Sequence, residues 1–316
     1  MGRYVVQRIL VAIPLLVVMS FVVFSFLHLA PGRPEALLTG GRPVDAATLA
    51  ALRGRYHLDD PFLVQYWDWL VNAIKLDFGE SFASKDTVGS VVGSRVLPTL
   101  QLGVLATILV VLVGVPLGVL AAVRRDSIVD GVVSLFALIL SSTAAYVSGI
   151  VMIIVLATNL GWFPVFGLGH GFGDRLYHLT LPALALAGSL TALVMRVTRA
   201  AMSDVLRSEH IETARARGFG EWRVVGRHGM RNALVPVLTV GGLASGYLIS
   251  GSVLVEYTFG LNGLGSLLIS AVQEKDFPVV QAITLLFTAA FIVINIVVDV
   301  LYGFVDPRIR LRSGVA

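Results

Sequence analysis

The sequence predicts an all-α integral membrane protein with six transmembrane helices and both termini in the cytoplasm. Three observations carry that expectation. Apolar residues make up 56% of the 316-residue chain and charged residues only 14%, with a mean hydropathy of +0.84, far outside the range of a soluble domain of this length. Six apolar stretches come close to or exceed the roughly 20 helical residues that cross a bilayer core. They lie near Ile9–Leu29, Leu100–Val123, Val129–Ala157, Leu179–Val197, Val235–Val255 and Val279–Tyr302. Arginine is distributed unevenly about these stretches. Arg3, Arg8, Arg124, Arg125, Arg196, Arg199, Arg207, Arg215, Arg217, Arg223, Arg227, Arg231, Arg308, Arg310 and Arg312 fall on the N-terminal side, whereas basic residues on the other side are outnumbered by acids such as Asp59, Asp60, Asp68 and Asp77. By the positive-inside rule both termini are cytoplasmic. The same distribution accounts for the net charge of +4 and the pI near 9.6 without a nucleic-acid partner.

Taken in order, residues 1–30 read as a cytoplasmic N-terminus and first span. That span follows Arg3 and Arg8 as a signal peptide would, yet it is too long for a typical h-region and no small-x-small cleavage site follows it, so it is expected to be retained. Residues 31–96 form an extracytoplasmic loop with two expected helices. One opens at Pro43-Val44-Asp45; the other starts at Asp60-Pro61 and carries Phe62, Gln65, Tyr66, Trp69 and Ile74 on a partly apolar face, which either lies at the membrane interface or caps an outer mouth. The remaining five spans occupy residues 97–303, followed by a cytoplasmic tail, 304–316. Gly114-x-x-x-Gly118 and Gly242-x-x-x-Gly246 have the spacing that lets helices approach closely, and Pro116 and Pro182 are expected to kink or end their helices. The loop Thr258–Pro278, with Gly260, Gly263 and Gly265, reads as a re-entrant or tightly turned connection.

Between the fourth and fifth spans, about 204–235, lies the longest helical-looking polar stretch of the chain, Ser208–Gly218. Ser208 suits an N-cap, Glu209 and Glu212 fall in the first turn, Arg215 and Arg217 in the last, and Gly218 stands where a left-handed residue would end the helix. Ile211, Ala214 and Gly218 make an apolar, nearly bare stripe suited to insertion into a groove of another protein.

Catalytic constellations are missing. There is no His-Glu-x-x-His, no Gly-x-Ser-x-Gly and no phosphate-binding Gly-x-x-x-x-Gly-Lys-Ser/Thr loop, and Lys75, Lys85 and Lys275, the only lysines, all fall outside. The chain is therefore not expected to be an enzyme; if ATP drives it, another chain must bind the nucleotide. Without cysteine there is no disulfide framework, thiolate metal site or cysteine nucleophile. His170, Asp174 and His178 have ligand-like spacing, but Gly171 and Gly173 argue that the segment is loop, and no metal site is expected. Asp130, Glu256, Asp299, Arg196 and Arg199 sit near span ends within reach of water, unlike the deep ionisable groups of ion-coupled carriers. Neutral polar residues, Ser142, Tyr146, Tyr247, Ser250 and Asn295 foremost, either line a translocation path or make ordinary interhelical hydrogen bonds.

Glu212-Thr213-Ala214-Arg215-Ala216-Arg217-Gly218, followed by Arg227-His228 and Arg231-Asn232-Ala233-Leu234-Val235-Pro236, resembles the EAA loop of bacterial ABC importer permeases of the dipeptide/oligopeptide (DppB/OppB) type. The resemblance runs the whole length. It takes in Arg3-Tyr4, His28-Leu29-x-Pro31-Gly32, Leu58-Asp59-x-Pro61, Asp77-Phe78-Gly79-x-Ser81, Leu160-Gly161-Trp162-x-Pro164, Asp299-x-x-Tyr302 and Asp306-Pro307-Arg308. Departures are Gly32-Arg33-Pro34, Ala144-Ala145 where proline is usual, and Thr213 for the first alanine. The resemblance implies a second homologous permease subunit, two cytoplasmic ATPase subunits that carry ATP and magnesium, and an extracytoplasmic solute-binding protein. It makes the EAA helix a coupling helix, with Glu212 and Arg215 as polar contacts to the ATPase, Ala214 allowing close approach and Gly218 permitting the turn. Di- or oligopeptides are the implied cargo, with nickel complexes, glutathione or sugars open within the wider group. A self-sufficient ion-coupled secondary transporter is the alternative of a different class.

Overall fold

The computed structural model describes residues 2–29 and 60–305, and among these every regular element is helical, with no strand beyond an isolated bridge pairing Glu80 with Thr87. The helix expected at Pro43 and the Asp306-Pro307-Arg308 motif lie outside the described residues. Three helices are long and apolar enough to cross a membrane, Val88–Val123, Phe172–Leu206 and Phe277–Val298, and two bent pairs bring the number to five if each pair is one span. The first helix runs Gly2–Leu29, but its apolar described part, Leu10–Phe26, is shorter than these. The described residues thus support up to five of the six expected crossings. They pack as two compact units.

One unit holds the described residues from Ile9 to Thr99 together with Asn262–Ile292. Helix α1 (Gly2–Leu29) meets α2 (Phe62–Ile74) through aromatic rings: Phe24 lies 5.4 Å from Phe62 and from Trp69, and Phe21 stands edge-on to Tyr66 at 5.2 Å. The Tyr66 and Ser20 hydroxyls pair at 2.9 Å. The aromatic face of α2 therefore rests on α1, and Ile74, expected on that face, is 75% exposed. Farther on, Asp276 is buried and gathers the Asp77-Phe78-Gly79-x-Ser81 segment. Its carboxylate accepts from the Ser81 hydroxyl at 2.5 Å and from the Phe82 and Ala83 amides at 3.0 and 3.3 Å.

The second unit holds Leu100–Leu261 with the end of the last helix from Val293. Helix α3 (Val88–Val123), which passes from the first unit into this one, widens to a π-turn at Val110–Gly114 just before Pro116. Such a turn relieves the clash of a proline ring with the preceding turn. The segment expected as one span over Val129–Ala157 is instead α4 (Ile128–Ser142) and α5 (Ala145–Asn159), meeting at 104°. Thr143 and Ala144 are extended at the break, with ψ of 129° and 143°, so the hydrogen-bond ladder stops there without a proline.

Helix α6 (Phe172–Leu206) is the centre of this unit, with Leu181, Ala183, Ala185, Ala192, Met195 and Met202 almost wholly buried. It starts earlier and ends later than the expected Leu179–Val197, and Pro182 sits inside an unbroken run. Because lipid tails are as apolar as leucine, close contact of small residues and not hydrophobic exclusion holds such helices together. At Gly118 a Cβ would sit 2.6 Å from the Met195 carbonyl oxygen and the Thr198 Cβ, and at Gly114 it would lie 3.1 Å from the Thr191 carbonyl oxygen. The Gly-x-x-x-Gly spacing thus marks a backbone-to-backbone seam between α3 and α6.

Beyond α6 come the polar helix α7 (Glu209–Ala216), a single turn at Glu221–Arg223, a π-turn at Val224–Gly229 and α8 (Met230–Thr258). Gly242 of α8 abuts Val298 of the last helix. The Gly-rich connection that follows contains a short apolar helix, α9 (Leu264–Gln273), whose Leu264 and Ala271 pack with Val88, Val279 and Ile283 in the first unit. Helix α10 (Phe277–Val305) closes the described chain.

Candidate functional site

Helix α7 is an eight-residue rod held against its own chain from one side. Ile211 is fully buried, Ala214 is 6% exposed, and both pack on Val224, with Val205 and Leu206 beside them. The apolar stripe that suggested a knob for a foreign groove therefore seats the rod on the end of α6 and on the π-turn. Glu209, His210, Glu212, Thr213, Ala216 and Arg217 are exposed on the other faces of the rod.

Both ends of the rod are fixed, one differently from expectation. Ser208 occupies the N-cap position with extended backbone, but its hydroxyl caps nothing: it donates to the Val205 carbonyl at 2.5 Å and pairs with His210 Nδ1 at 2.8 Å. At the other end Gly218 is left-handed with φ of +78°, as its place in the sequence predicts. The Gly218 amide bonds to the Arg215 carbonyl at 2.9 Å and the Phe219 amide to the Ala214 carbonyl at 3.3 Å, the two bonds of a Schellman cap.

Arg215 grips Glu221 with two nitrogens, Nε to Oε1 at 2.8 Å and Nη2 to Oε2 at 3.3 Å. This hydrogen bond holds the Glu221 carboxyl below its ordinary range and raises the Arg215 guanidinium. Arg215 therefore ties the rod to the turn after it, leaving Glu212 as the exposed charge at mid-rod. The same turn presents Trp222, 90% exposed, which composition did not single out.

The path candidates are spread over four helices, α4, α5, α8 and α10. Ser142 and Tyr146 flank the 104° break, Ser142 bonding back to the Leu138 carbonyl at 2.8 Å and Tyr146 41% exposed. Tyr247, 75% exposed, and Ser250 lie one turn apart on α8, while Asn295 is half-buried on α10.

Two charged groups differ from their expected surroundings. Glu256 is 1% exposed, not water-facing, and Asp130, 4% exposed, is clasped by Arg199 through bonds of 2.6 Å from Nε and Nη2. Sequence reasoning placed both near span ends; their burial reflects packing across distant segments that spacing does not record. Asp174 and His178 lie on the first turns of α6, not in a loop, where Asp174 accepts from the His170 amide at 2.6 Å. Among the described residues no group of three or more His, Cys, Asp or Glu could hold a metal ion.

Several helices fit to cross a membrane, with an exposed charged rod joining two of them and no metal cluster among the described residues, suit a membrane component of a transport system. The chain belongs to the family "Binding-protein-dependent transport system inner membrane component", matched over residues 114–311, with the companion N-terminal family matched over 1–103. It is 40% identical to the glutathione transport system permease protein GsiC of Salmonella choleraesuis and to that of Escherichia coli K12, over 99% of this chain and 100% of each relative. Its fold is similar to that of the inward-facing MetNI methionine ABC transporter, with a TM-score of 0.55 and 18% identity, over 68% of this chain and 96% of that one. The chain is thus the permease subunit of an ABC importer, a multi-pass protein of the cytoplasmic membrane, and ATP hydrolysis belongs to separate ATPase subunits.

Proposed function

We propose that this subunit, paired with a second homologous permease subunit, forms the translocation path of an importer for short peptides, glutathione first among them. The observation that carries this is the end-to-end 40% identity with glutathione permeases. Glutathione is itself a tripeptide, so the peptide cargo implied by the EAA-type resemblance and the cargo named for these relatives are one chemical class. An extracytoplasmic solute-binding protein delivers the cargo, and two cytoplasmic ATPase subunits, which carry ATP and magnesium, drive the cycle.

In this proposal the chain crosses the membrane six times with both termini inside, residues 31–96 lie outside, and α7 is the coupling helix. Glu212 contacts the ATPase, Ala214 seats the rod, Arg215 braces it through Glu221, and Gly218 turns the chain back toward α8. Closure of the ATPases moves α7 and with it α6 and α8, the two helices it joins, as rigid bodies. Ser142, Tyr146, Tyr247, Ser250 and Asn295 are the path candidates.

The test is reconstitution in vesicles with the partner subunits and the binding protein, with labelled glutathione, dipeptides and tripeptides offered together. ATP-dependent uptake of glutathione, competed by short peptides and lost in Glu212→Lys, is expected. Uptake by this chain alone, driven by a proton or sodium gradient, would refute the proposal.

A further inference from the structure

Helix α6 holds the broken pair α4–α5 at two separate points. At the start of α4, Asp130 is 4% exposed, and Arg199 clasps it with two 2.6 Å bonds. The Asp126 amide and the Ser134 hydroxyl add bonds to the same carboxylate at 3.1 and 3.4 Å. At the far end of α4, where the ladder stops, the Ser189 hydroxyl of α6 lies 3.4 Å from the Leu140 carbonyl oxygen and 3.3 Å from that of Thr143. Both attachments come from the helix that runs directly into Ser208 and α7.

A two-pronged arginine–carboxylate pair fixes orientation as well as distance. A helix pinned at one end by such a pair and at the other by a hydroxyl cannot rotate independently of the helix that pins it. The seam of α6 against Gly114 and Gly118 seats the Val194 and Thr198 side chains over the two glycines and adds no side-chain hydrogen bond of this kind.

We infer that Asp130 and Arg199 are positioning residues that transmit movement of α7 to the bend beside Ser142 and Tyr146. The inference rests on α7 being the ATPase-docking helix. Breaking the pair should leave the subunit inserted and the ATPases bound, yet let α6 move without carrying α4–α5.

The experiment uses the assembled importer in proteoliposomes and reads ATP hydrolysed per cargo molecule imported. A cysteine at Val147 on α5, 38% exposed, is the only thiol in an otherwise cysteine-free chain, and its labelling with and without nucleotide reports movement of the bend. Asp130→Asn and Arg199→Gln should each raise the ATP-to-cargo ratio at least tenfold and abolish the nucleotide-dependent change in labelling. Arg199→Lys, which keeps the charge but not the fork, should fall between.

A ratio within twofold of the unaltered protein would overturn the inference, as would failure of both variants to insert, which would make the pair a folding element. The parent reading is tested separately by Glu212→Lys, which leaves the pair intact and should strip the ATPases. If the ATPases stay bound, α7 is not the docking helix and the inference falls with it.

Discussion

Gly218 provides the sharpest test of how the rod is aimed, because its requirement is conformational and not steric. Its φ is +78°, and a Cβ built there would meet nothing within 4 Å. Any effect of substitution must therefore come from the backbone. A residue with a side chain pays about 1–2 kcal/mol in the left-handed region, which converts to a roughly 5- to 30-fold shift from capped to frayed ends. Asparagine tolerates that region better than alanine, and a β-branched residue tolerates it worst. The expected order of function is thus Gly, Asn, Ala, Val. Size alone would put Asn below Ala, so the order separates the two causes. The assay is ATPase recovered per permease subunit on purification, alongside hydrogen exchange at the Phe219 amide, which the cap bonds to Ala214 at 3.3 Å. Equal behaviour of the Asn and Ala variants, or an undiminished Val variant, would refute the reasoning.

Gly118→Val should separate α3 from α6 and cost on the order of 1–3 kcal/mol, read as a lower unfolding temperature in detergent, because backbone and not a flexible side-chain tip lies 2.6 Å from the new carbon. Asp276→Ala leaves the Ser81 hydroxyl and the Phe82 and Ala83 amides without their acceptor. At about 1–3 kcal/mol for a buried unsatisfied group, it should lower the unfolding temperature clearly more than Asp276→Asn, which keeps one acceptor oxygen. The Glu221 carboxyl is held below its ordinary value of 4.5 by Arg215, so its pairing contributes fully at neutral pH and is lost only as pH falls through the lowered value. Carbon-13 NMR of the Glu221 carboxyl should show the depression, and Arg215→Ala should remove it. Because Glu221 is 65% exposed, high salt should weaken the pair as well.

The long apolar helices and the left-handed glycine were legible because each has one physical solution. A run of about 20 apolar residues in lipid must satisfy its backbone internally, and a glycine after a charged helical end supplies the left-handed turn. The 104° break was not legible, since neither proline nor glycine interrupts Ser142-Thr143-Ala144-Ala145 and the polar run Ser141-Ser142-Thr143 reads equally as interhelical hydrogen bonding within one span. What stands beside the freed carbonyls is Ser189, 46 residues from Thr143. Ser208 misled for a related reason: an N-cap is a competition, and here the Val205 carbonyl and His210 hold the hydroxyl. The Arg215–Glu221 pair spans six residues, a spacing no straight helix brings together, and it exists only because Gly218 reverses the chain.

These hidden contacts share a physical origin. Where lipid is as apolar as a neighbouring helix, greasy packing cannot choose one rotation of a helix over another, so orientation must be set by polar bonds or by absent side chains. Around α6 the two devices are divided. The glycine seam toward α3 sets distance, with Val194 and Thr198 seated over Gly114 and Gly118, while the Asp130–Arg199 fork and Ser189 add directional bonds toward α4–α5. If α7 is the docking helix, as proposed above, these bonds are the route by which a torque applied there reaches the bend. Substituting a bulky residue at Gly118 and removing the carboxylate at Asp130 should accordingly fail in opposite ways, the first by loss of the folded subunit and the second by loss of coupling in a subunit that remains folded.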